Sequence, residues 1–256
     1  MKKMVLILVF SLVLFSCTPA SQNQEVIVFA AASLMDAFDE IATEFGAAHP
    51  GVDVLVNYAS SSELATQLIE GAAADVFASA NQSQMQIAAD AGRISGLPVV
   101  FVTNRLTIIV PADNPAGILS PAGLANEGVQ FVLAAPGVPV RDYSDQSIAL
   151  LGDAELQAAV YANVVSEEPN VRQVTTKVSL GEADAGIVYA SDVTPDIADL
   201  VLQIEIPDEQ NVLAAYPIAM VSDAPSGTLA QEFIDFVLSV EGQAILQSWG
   251  FGPIQY

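Results

Sequence analysis

Apolar residues follow two spacings that alternate along most of the chain. Short runs of β-branched and aromatic residues, beginning with Val26 to Ala31 and Val52 to Tyr58, are typical of buried strands. Each run is followed by apolar residues three or four positions apart, which is typical of amphipathic helices. In the first of these helices the apolar positions are Leu34, Ala37, Phe38, Ile41 and Phe45. Alternating strands and helices predict an α/β protein whose sheets are mostly parallel and flanked by helices.

The same spacings predict the remaining elements and divide the chain into two lobes. We expect strands at 75–79, 106–110, 129–133, 186–189 and 214–221. We expect helices ending near Gly71 and at 82–91, 145–151, 154–163, 171–181 and 228–249. Two β crossovers, near residues 104 and 216, would separate lobe I (25–103 plus 217–256) from lobe II (104–216). A cleft between two such lobes is a natural place for a ligand.

The first 17 residues have the layout of a signal peptide. Lys2 and Lys3 precede the apolar run Met4 to Phe15, which is too short to span a membrane comfortably. A leucine three positions before Cys17 and a serine just before it are similar to a bacterial lipobox. Segment 1–17 would then be a lipoprotein signal ending at a lipidated Cys17, and 18–24 a flexible tether. The alternative is an ordinary signal peptide with an incidental cysteine. Either version predicts an extracytoplasmic protein, and the lipobox adds a membrane anchor.

Composition excludes several classes of function. Cys17 is the only cysteine and His49 the only histidine, so neither a disulfide nor a thiolate metal site can form. No G-x-S-x-G motif is present, which argues against a serine nucleophile. The formal net charge of −23 excludes a nucleic-acid-binding protein. The charge does not exclude an anion site, because salt screens distant charges over roughly 8 Å.

Two serines stand where a predicted strand ends and a helix begins. Ser33 follows the first strand, and Ser61 is the middle of three serines that follow the second. Helix N-termini offer free backbone N–H groups and the positive end of the helix dipole, so they can hold an anion without a cation. Ser33 with Asp36 three positions later is also close to a capping box, so both serines could be plain helix caps. Together they predict a pocket for a small oxyanion.

A series of motifs in chain order resembles the periplasmic molybdate-binding proteins of ABC transporters. They are Phe29-Ala-Ala-Ala-Ser33-Leu, Tyr58-Ala-Ser-Ser-Ser62-Glu-Leu-Ala, Gly71-Ala-Ala-Ala-Asp75-Val-Phe-Ala-Ser-Ala80, Val138-Pro-Val140, Asn170-Val-Arg172 and Gly181-Glu-Ala-Asp-Ala-Gly-Ile-Val-Tyr189-Ala-Ser-Asp192. The resemblance covers nearly all of the chain after the signal peptide. It implies the two-lobed type II periplasmic-binding-protein fold and a monomeric receptor that catalyses nothing.

The resemblance also implies a set of binding residues. Ser33 and Ser61 would donate hydroxyl and backbone N–H groups from lobe I, and Val140 and Val171 would donate backbone N–H groups from lobe II. The hydroxyl of Tyr189 would complete the shell. Molybdate or tungstate would be the ligand, with no cofactor and no direct bond from protein to metal, and an ABC permease would be the partner.

Physical chemistry and one departure from the family pattern leave alternatives open. Sulfate, molybdate and tungstate carry no proton near neutral pH, whereas phosphate does and benefits from a protein acceptor. Sulfate or another small oxyanion therefore remains an alternative ligand, and an enzyme or a ligand-free adhesion lipoprotein an alternative function. Arg141 stands where the family usually has glycine. It could form a cationic pocket rim or pair in solvent with Asp142 or Asp145.

Overall fold

The computed structural model describes residues 24–254 of the 256-residue chain. The predicted signal peptide and Cys17 lie outside this range. Gln24, assigned above to the tether, is the first residue of the first strand. No helix within residues 24–254 is both long enough and apolar enough to cross a membrane.

The described chain contains ten strands and eight α-helices. The strands are β1 (Gln24–Ala31), β2 (Val52–Ala59), β3 (Val76–Ala78), β4 (Ile94–Asn104), β5 (Leu106–Pro111), β6 (Phe131–Ala134), β7 (Val164–Glu168), β8 (Ala185–Tyr189), β9 (Val201–Ile204) and β10 (Ala214–Val221). The helices are α1 (Met35–Ala48), α2 (Ser61–Ile69), α3 (Gln82–Asp90), α4 (Pro139–Ala149), α5 (Ala154–Ala162), α6 (Val171–Ser179), α7 (Gly227–Leu238) and α8 (Val240–Ser248). Short 3-10 helices occur at Ala32–Leu34, Pro121–Ala125 and Ala190–Asp192.

Two five-stranded sheets form the cores of the two lobes, which confirms the predicted α/β class. Their strand orders are β2-β1-β3-β10-β4 and β7-β6-β8-β5-β9. In each sheet four strands run the same way and one is reversed: β10 in the first sheet and β5 in the second. The reversed strands are those that follow the two passages of the chain between the sheets. The predicted boundaries at 104 and 217 fall at the end of β4 and within β10, and both of these strands belong to the first sheet.

Helices α2, α4 and α6 begin just after the carboxyl ends of β2, β6 and β7, and the helices of each lobe pack on its sheet. In the first lobe, Phe38 and Phe45 of α1 pack against Phe233 of α7, with ring centroids 6.0 and 5.4 Å apart. In the second lobe, α6 lies so close to β8 that a Cβ on Gly186 would come within 2.7 Å of the Val174 side chain. Glycine at this position therefore allows α6 to lie this close to the sheet.

Several predicted element bounds were wrong. Strands β4, β7 and β9 were not predicted. Helix α4 begins at Pro139 rather than near residue 145, because a proline suits the first turn of a helix. The single helix expected at 228–249 is two helices, since Ser239 has extended backbone and its hydroxyl caps α8 by accepting the Gly242 N–H.

Candidate functional site

A small cavity lies between the lobes, at the carboxyl ends of three parallel strands from each sheet. Its volume is about 10 Å³. It is lined by Ala31, Ala32, Ser33, Ser60, Ser61, Ala80, Val138, Pro139, Val140, Asn170, Val171 and Tyr189. All five residues singled out from the sequence are among these. This position follows the general rule that open α/β sheets bind ligands beyond the carboxyl ends of their strands.

Ser33 reaches the cavity from a 3-10 helix rather than from an α-helix cap. Its hydroxyl Oγ lies 2.9 Å from the hydroxyl oxygen of Tyr216, and both side chains are buried. The capping box expected between Ser33 and Asp36 was wrong: Leu34 occupies the N-cap position of α1, and no side chain caps that helix. Ser33 is therefore free of a capping role.

Ser61 is the first residue of α2, and its neighbour Ser60 does the capping. The Ser60 hydroxyl accepts the Glu63 N–H at 3.3 Å. The Ser61 hydroxyl accepts the backbone N–H of Ala80 at 2.9 Å. Since that bond uses the Ser61 oxygen as acceptor, the hydroxyl hydrogen remains available to a ligand in the cavity.

The second lobe presents two helix N-termini to the same cavity. Helix α4 follows Val138, which offers no capping side chain, and Pro139 has no N–H, so Val140 supplies the first amide of this helix. Helix α6 is capped by Asn170, whose side chain accepts the Gln173 N–H at 3.2 Å. That cap leaves the amide of Val171 at the start of the helix. Two backbone N–H groups and the positive ends of two helix dipoles thus face the cleft.

Tyr189 places an unpartnered hydroxyl at the cavity. The side chain is 1% exposed, and its hydroxyl oxygen has no hydrogen-bond partner among the described residues. Burial, with the nearby Tyr216 second, raises the pKa of Tyr189 well above its usual 10, so the hydroxyl stays protonated. A buried polar group without a partner is costly, and this one lies where a ligand acceptor would satisfy it.

Arg141 points away from the cavity. Its guanidinium donates to Asp145 at 2.8 Å, to Glu167 at 2.6 Å and to the Ala134 carbonyl at 3.1 Å. Of the two roles left open from the sequence, the paired arginine is therefore the observed one, with Glu167 as an additional partner. The backbone at this position is the first turn of α4, and it keeps the Val140 amide at the cavity.

Side chains from the two lobes bond across the cleft, so the structure is a closed one. Arg172, next to Val171, pairs with Asp36 of the opposite lobe and donates to the Ala32 carbonyl at 3.3 Å. On another side of the cavity, Asn81 donates to Asp142 at 3.1 Å. A further bond joins Gln84 to the Gly137 carbonyl at 3.0 Å.

The described residues that line the cavity are uncharged and supply mainly hydroxyl and amide donors. His49 does not line it and bonds the Phe45 carbonyl instead. Within residues 24–254 no group of three or more His, Cys, Asp or Glu side chains could hold a metal ion. The cavity therefore suits a compact anion that accepts hydrogen bonds from several directions.

Sequence reasoning missed four residues that shape the site: Ser60, Asn170, Tyr216 and Arg172. The two caps carry a local signal, since serine and asparagine are preferred at helix N-caps. The contacts of Tyr216 and Arg172 have no local sequence signal, because their partners Ser33 and Asp36 are 183 and 136 residues away.

Comparison with known proteins settles the family. Residues 26–252 match the family of bacterial extracellular solute-binding proteins. The chain belongs to this family. It is 40% identical over 233 residues to the molybdate-binding protein ModA of Mycobacterium tuberculosis strain H37Rv, covering 91% of this chain and 86% of that protein. Family and relative are solute-binding proteins, which confirms the prediction that this chain is not an enzyme.

Two solved structures at 19% identity show the fold of this solute-binding protein. The periplasmic molybdate-binding protein of Azotobacter vinelandii matches with a TM-score of 0.78, covering 90% of this chain and 100% of that one. The sulfate-binding protein SubI of Mycobacterium tuberculosis H37Rv also matches with a TM-score of 0.78, covering 91% and 88%. The two-lobed binding-protein fold is thereby confirmed, and it does not by itself distinguish between the two anions.

Proposed function

We propose that this protein binds molybdate or tungstate in the interlobe cavity. The observation that carries the proposal is the buried Tyr189 hydroxyl, which has no partner among the described residues and lies in a cavity that two serine hydroxyls and two helix N-termini also line. A tetrahedral dianion would accept from Tyr189, from the hydroxyls of Ser33 and Ser61, and from the amides of Val140 and Val171. Hydrogen bonds to a charged acceptor are about twice as strong as neutral ones, so fixed neutral donors suffice.

The donor set favours an oxyanion without a proton. Hydrogen phosphate needs an acceptor for its own hydrogen, and no carboxylate or imidazole of residues 24–254 lines the cavity. Molybdate, tungstate and sulfate have no such need. The 40% identity to a molybdate-binding protein over most of the chain supports molybdate over sulfate.

The size of the cavity supports a compact ligand. In the closed structure it measures about 10 Å³, which is close to the roughly 10–15 Å³ needed to hold one water molecule by this kind of measure. A compact oxyanion therefore needs less adjustment of the two lobes than a sugar or a peptide would.

We further propose that the protein is a lipid-anchored, monomeric receptor that delivers the anion to an ABC permease. The lipobox-like residues before Cys17 support the anchor, and membership of the extracellular solute-binding family supports the extracytoplasmic location. Ligand-driven closure requires that the anion bind the closed form better than the open one. Donors from both lobes, which an open form would separate, provide that difference.

Thermal unfolding tests the ligand directly. The chain from Thr18 onward would be melted with molybdate, tungstate, sulfate and hydrogen phosphate, each at matched ionic strength. A ligand at 100 times its Kd adds about 2.7 kcal/mol, which raises Tm by roughly 5–10 °C for a chain of this length. We expect molybdate and tungstate to give the largest shifts, sulfate a smaller one and hydrogen phosphate the smallest.

The outcomes separate the alternatives. A larger shift with sulfate than with molybdate would make this a sulfate-binding protein on the same fold. If no tetrahedral oxyanion shifts Tm, the proposed function is wrong, and the ligand-free adhesion lipoprotein becomes the better interpretation.

A further inference from the structure

We propose that Asn104 and Tyr216 are positioning residues that fix the Ser33 hydroxyl as a hydrogen-bond donor into the cavity. Neither residue lines the cavity, and no motif in the sequence points to either. The inference deepens the proposed function and rests on it.

The backbone determines the orientation of the Asn104 side chain. Its Oδ1 accepts the N–H of Arg105 at 2.9 Å. The amide nitrogen Nδ2 must therefore face the other way, where it lies 2.8 Å from the Ser191 hydroxyl and 3.4 Å from the Tyr216 hydroxyl. Since an amide nitrogen can only donate, Asn104 approaches both hydroxyl oxygens as a donor.

The Tyr216 hydroxyl links the Asn104 side chain to Ser33. Its side chain is fully buried, and its hydroxyl contacts Asn104 on one side and the Ser33 Oγ, 2.9 Å away, on the other. The Asn104 contact uses the tyrosine oxygen as acceptor and leaves the tyrosine hydrogen for a further bond, which the proposal assigns to Ser33. Burial also raises the pKa of Tyr216 well above 10, which keeps that hydrogen in place.

Ser33 then accepts a hydrogen bond from Tyr216 and donates one into the cavity. With its oxygen occupied by the Tyr216 hydrogen, its own hydrogen is directed to the cavity. Ser61 has the same arrangement by another route, because its oxygen accepts the Ala80 N–H. Two serines from separate parts of the chain thus each keep a hydrogen for the ligand, and two such donors disfavour an anion that carries a hydrogen of its own.

A double-mutant cycle tests the relay. Molybdate affinity would be measured calorimetrically for the parent, Tyr216→Phe, Ser33→Ala and the double variant, and hydrogen phosphate affinity for the parent and Tyr216→Phe. Phenylalanine keeps the ring contacts of Tyr216 with Phe101, Tyr189 and Phe251.

We expect Tyr216→Phe to weaken molybdate binding roughly 3- to 10-fold in the parent. In the Ser33→Ala background the same change should have almost no effect, because the hydroxyl that it orients is gone. The preference for molybdate over hydrogen phosphate should also fall, since Ser33 regains a free acceptor site. Tyr143→Phe is the matched control: that hydroxyl contacts the Ala215 N–H, not Ser33, and its loss should leave the preference unchanged.

A second cycle keeps the test decisive if Tyr216→Phe does not fold. Asn104→Asp can still accept the Arg105 N–H but cannot donate to Tyr216. The Tyr216 hydroxyl should then donate to the new carboxylate, and the Ser33 hydroxyl should donate to Tyr216 instead of to the ligand. Asn104→Asp should therefore cost more molybdate affinity when Ser33 is present than in the Ser33→Ala background. The added negative charge repels the anion equally in both backgrounds, so the difference reports the Ser33 hydroxyl.

The failure of the relay can be told apart from the failure of the proposed function. A parent that binds molybdate, with Tyr216→Phe costing the same affinity with and without Ser33, overturns the relay alone. A Tyr216→Phe variant that binds as the parent does also overturns it. A parent that binds no tetrahedral oxyanion overturns both proposals.

Discussion

Replacing Tyr189 with phenylalanine should weaken anion binding without destabilising the ligand-free protein. The substitution removes a hydroxyl that has no partner among the described residues and keeps the ring, whose centroid is 5.7 Å from that of Tyr216 and 6.3 Å from that of Tyr143. A hydrogen bond to a charged group contributes about 1.5–3 kcal/mol, so the Kd for molybdate should rise roughly 10- to 150-fold. The ligand-free protein loses no internal hydrogen bond, so its unfolding free energy should stay the same or rise.

Two measurements on one preparation check this prediction. Calorimetric titration with molybdate gives the Kd, and urea denaturation without anion gives the unfolding free energy. Tyr143→Phe serves as control, because it removes a hydroxyl that contacts the Ala215 N–H at 3.3 Å and lies outside the cavity lining. An unchanged Kd for Tyr189→Phe would refute the reasoning, as would a ligand-free protein destabilised by more than 1 kcal/mol or so.

Three further substitutions test other parts of the site. Ser61→Ala should weaken molybdate binding at least tenfold in a titration, and it should lower the unfolding free energy by about 1–3 kcal/mol because the Ala80 N–H loses its acceptor. Arg172→Gln should weaken binding about tenfold, since its bonds to Asp36 and the opposite lobe hold the closed form. Burial, only partly opposed by Arg172, raises the pKa of Asp192 from 3.8 to about 6, so the folded state binds this proton more tightly than the unfolded chain. The contribution of Asp192 to stability should therefore fall as pH rises from 4 to 6, and the stability of Asp192→Asn relative to the parent should rise by up to about 3 kcal/mol in urea denaturation between pH 4 and 7.

Each of these variants has a control or a contradictory outcome. Ser62→Ala removes the hydroxyl of a residue that follows Ser61 but does not line the cavity, so this variant should bind as the parent does. Arg141→Gln removes an arginine whose partners all lie in its own lobe. If Arg141→Gln weakened molybdate binding as much as Arg172→Gln, the bonds of Arg172 across the cleft would not explain the loss. A pH-independent difference between Asp192→Asn and the parent would show that the Asp192 carboxyl does not titrate as described.

The strands that sequence analysis found and missed differ in their place in the sheets. All six inner strands were predicted, because burial on both faces makes them continuous apolar runs. The three missed strands, β4, β7 and β9, all lie at sheet edges. The sequences of β4 and β7 include glycine, proline or charged residues, such as Gly96 and Pro98 in β4, which edge strands tolerate, and β9 is only 4 residues long. Edge strands owe their pairing to the neighbouring strand, and a local pattern does not contain that information.

In the site, too, features with a local sequence signal were predicted and features that depend on distant contacts were not. Ser33, Ser61, Val140, Val171 and Tyr189 lie next to strand ends, so motif order and helix starts were enough to bring them to one cavity. The direction of each hydroxyl hydrogen was not predictable. It depends on contacts such as Ser33 with Tyr216, which join residues far apart in the chain.

The reversed strand β10 also has a consequence for the order in which the protein assembles. All five strands of the second sheet lie between residues 106 and 204, so that lobe has its complete sheet as soon as β9 has been made. The first sheet cannot close at that stage, because β10 pairs with both β3 and β4 and separates them. Until Ala214–Val221 is inserted, the two outer parts of this sheet expose unpaired strand edges. Since such long-range pairing is slow, the last step of folding should be the joining of β3 to β4 through β10, and that step also delivers Tyr216 to Ser33.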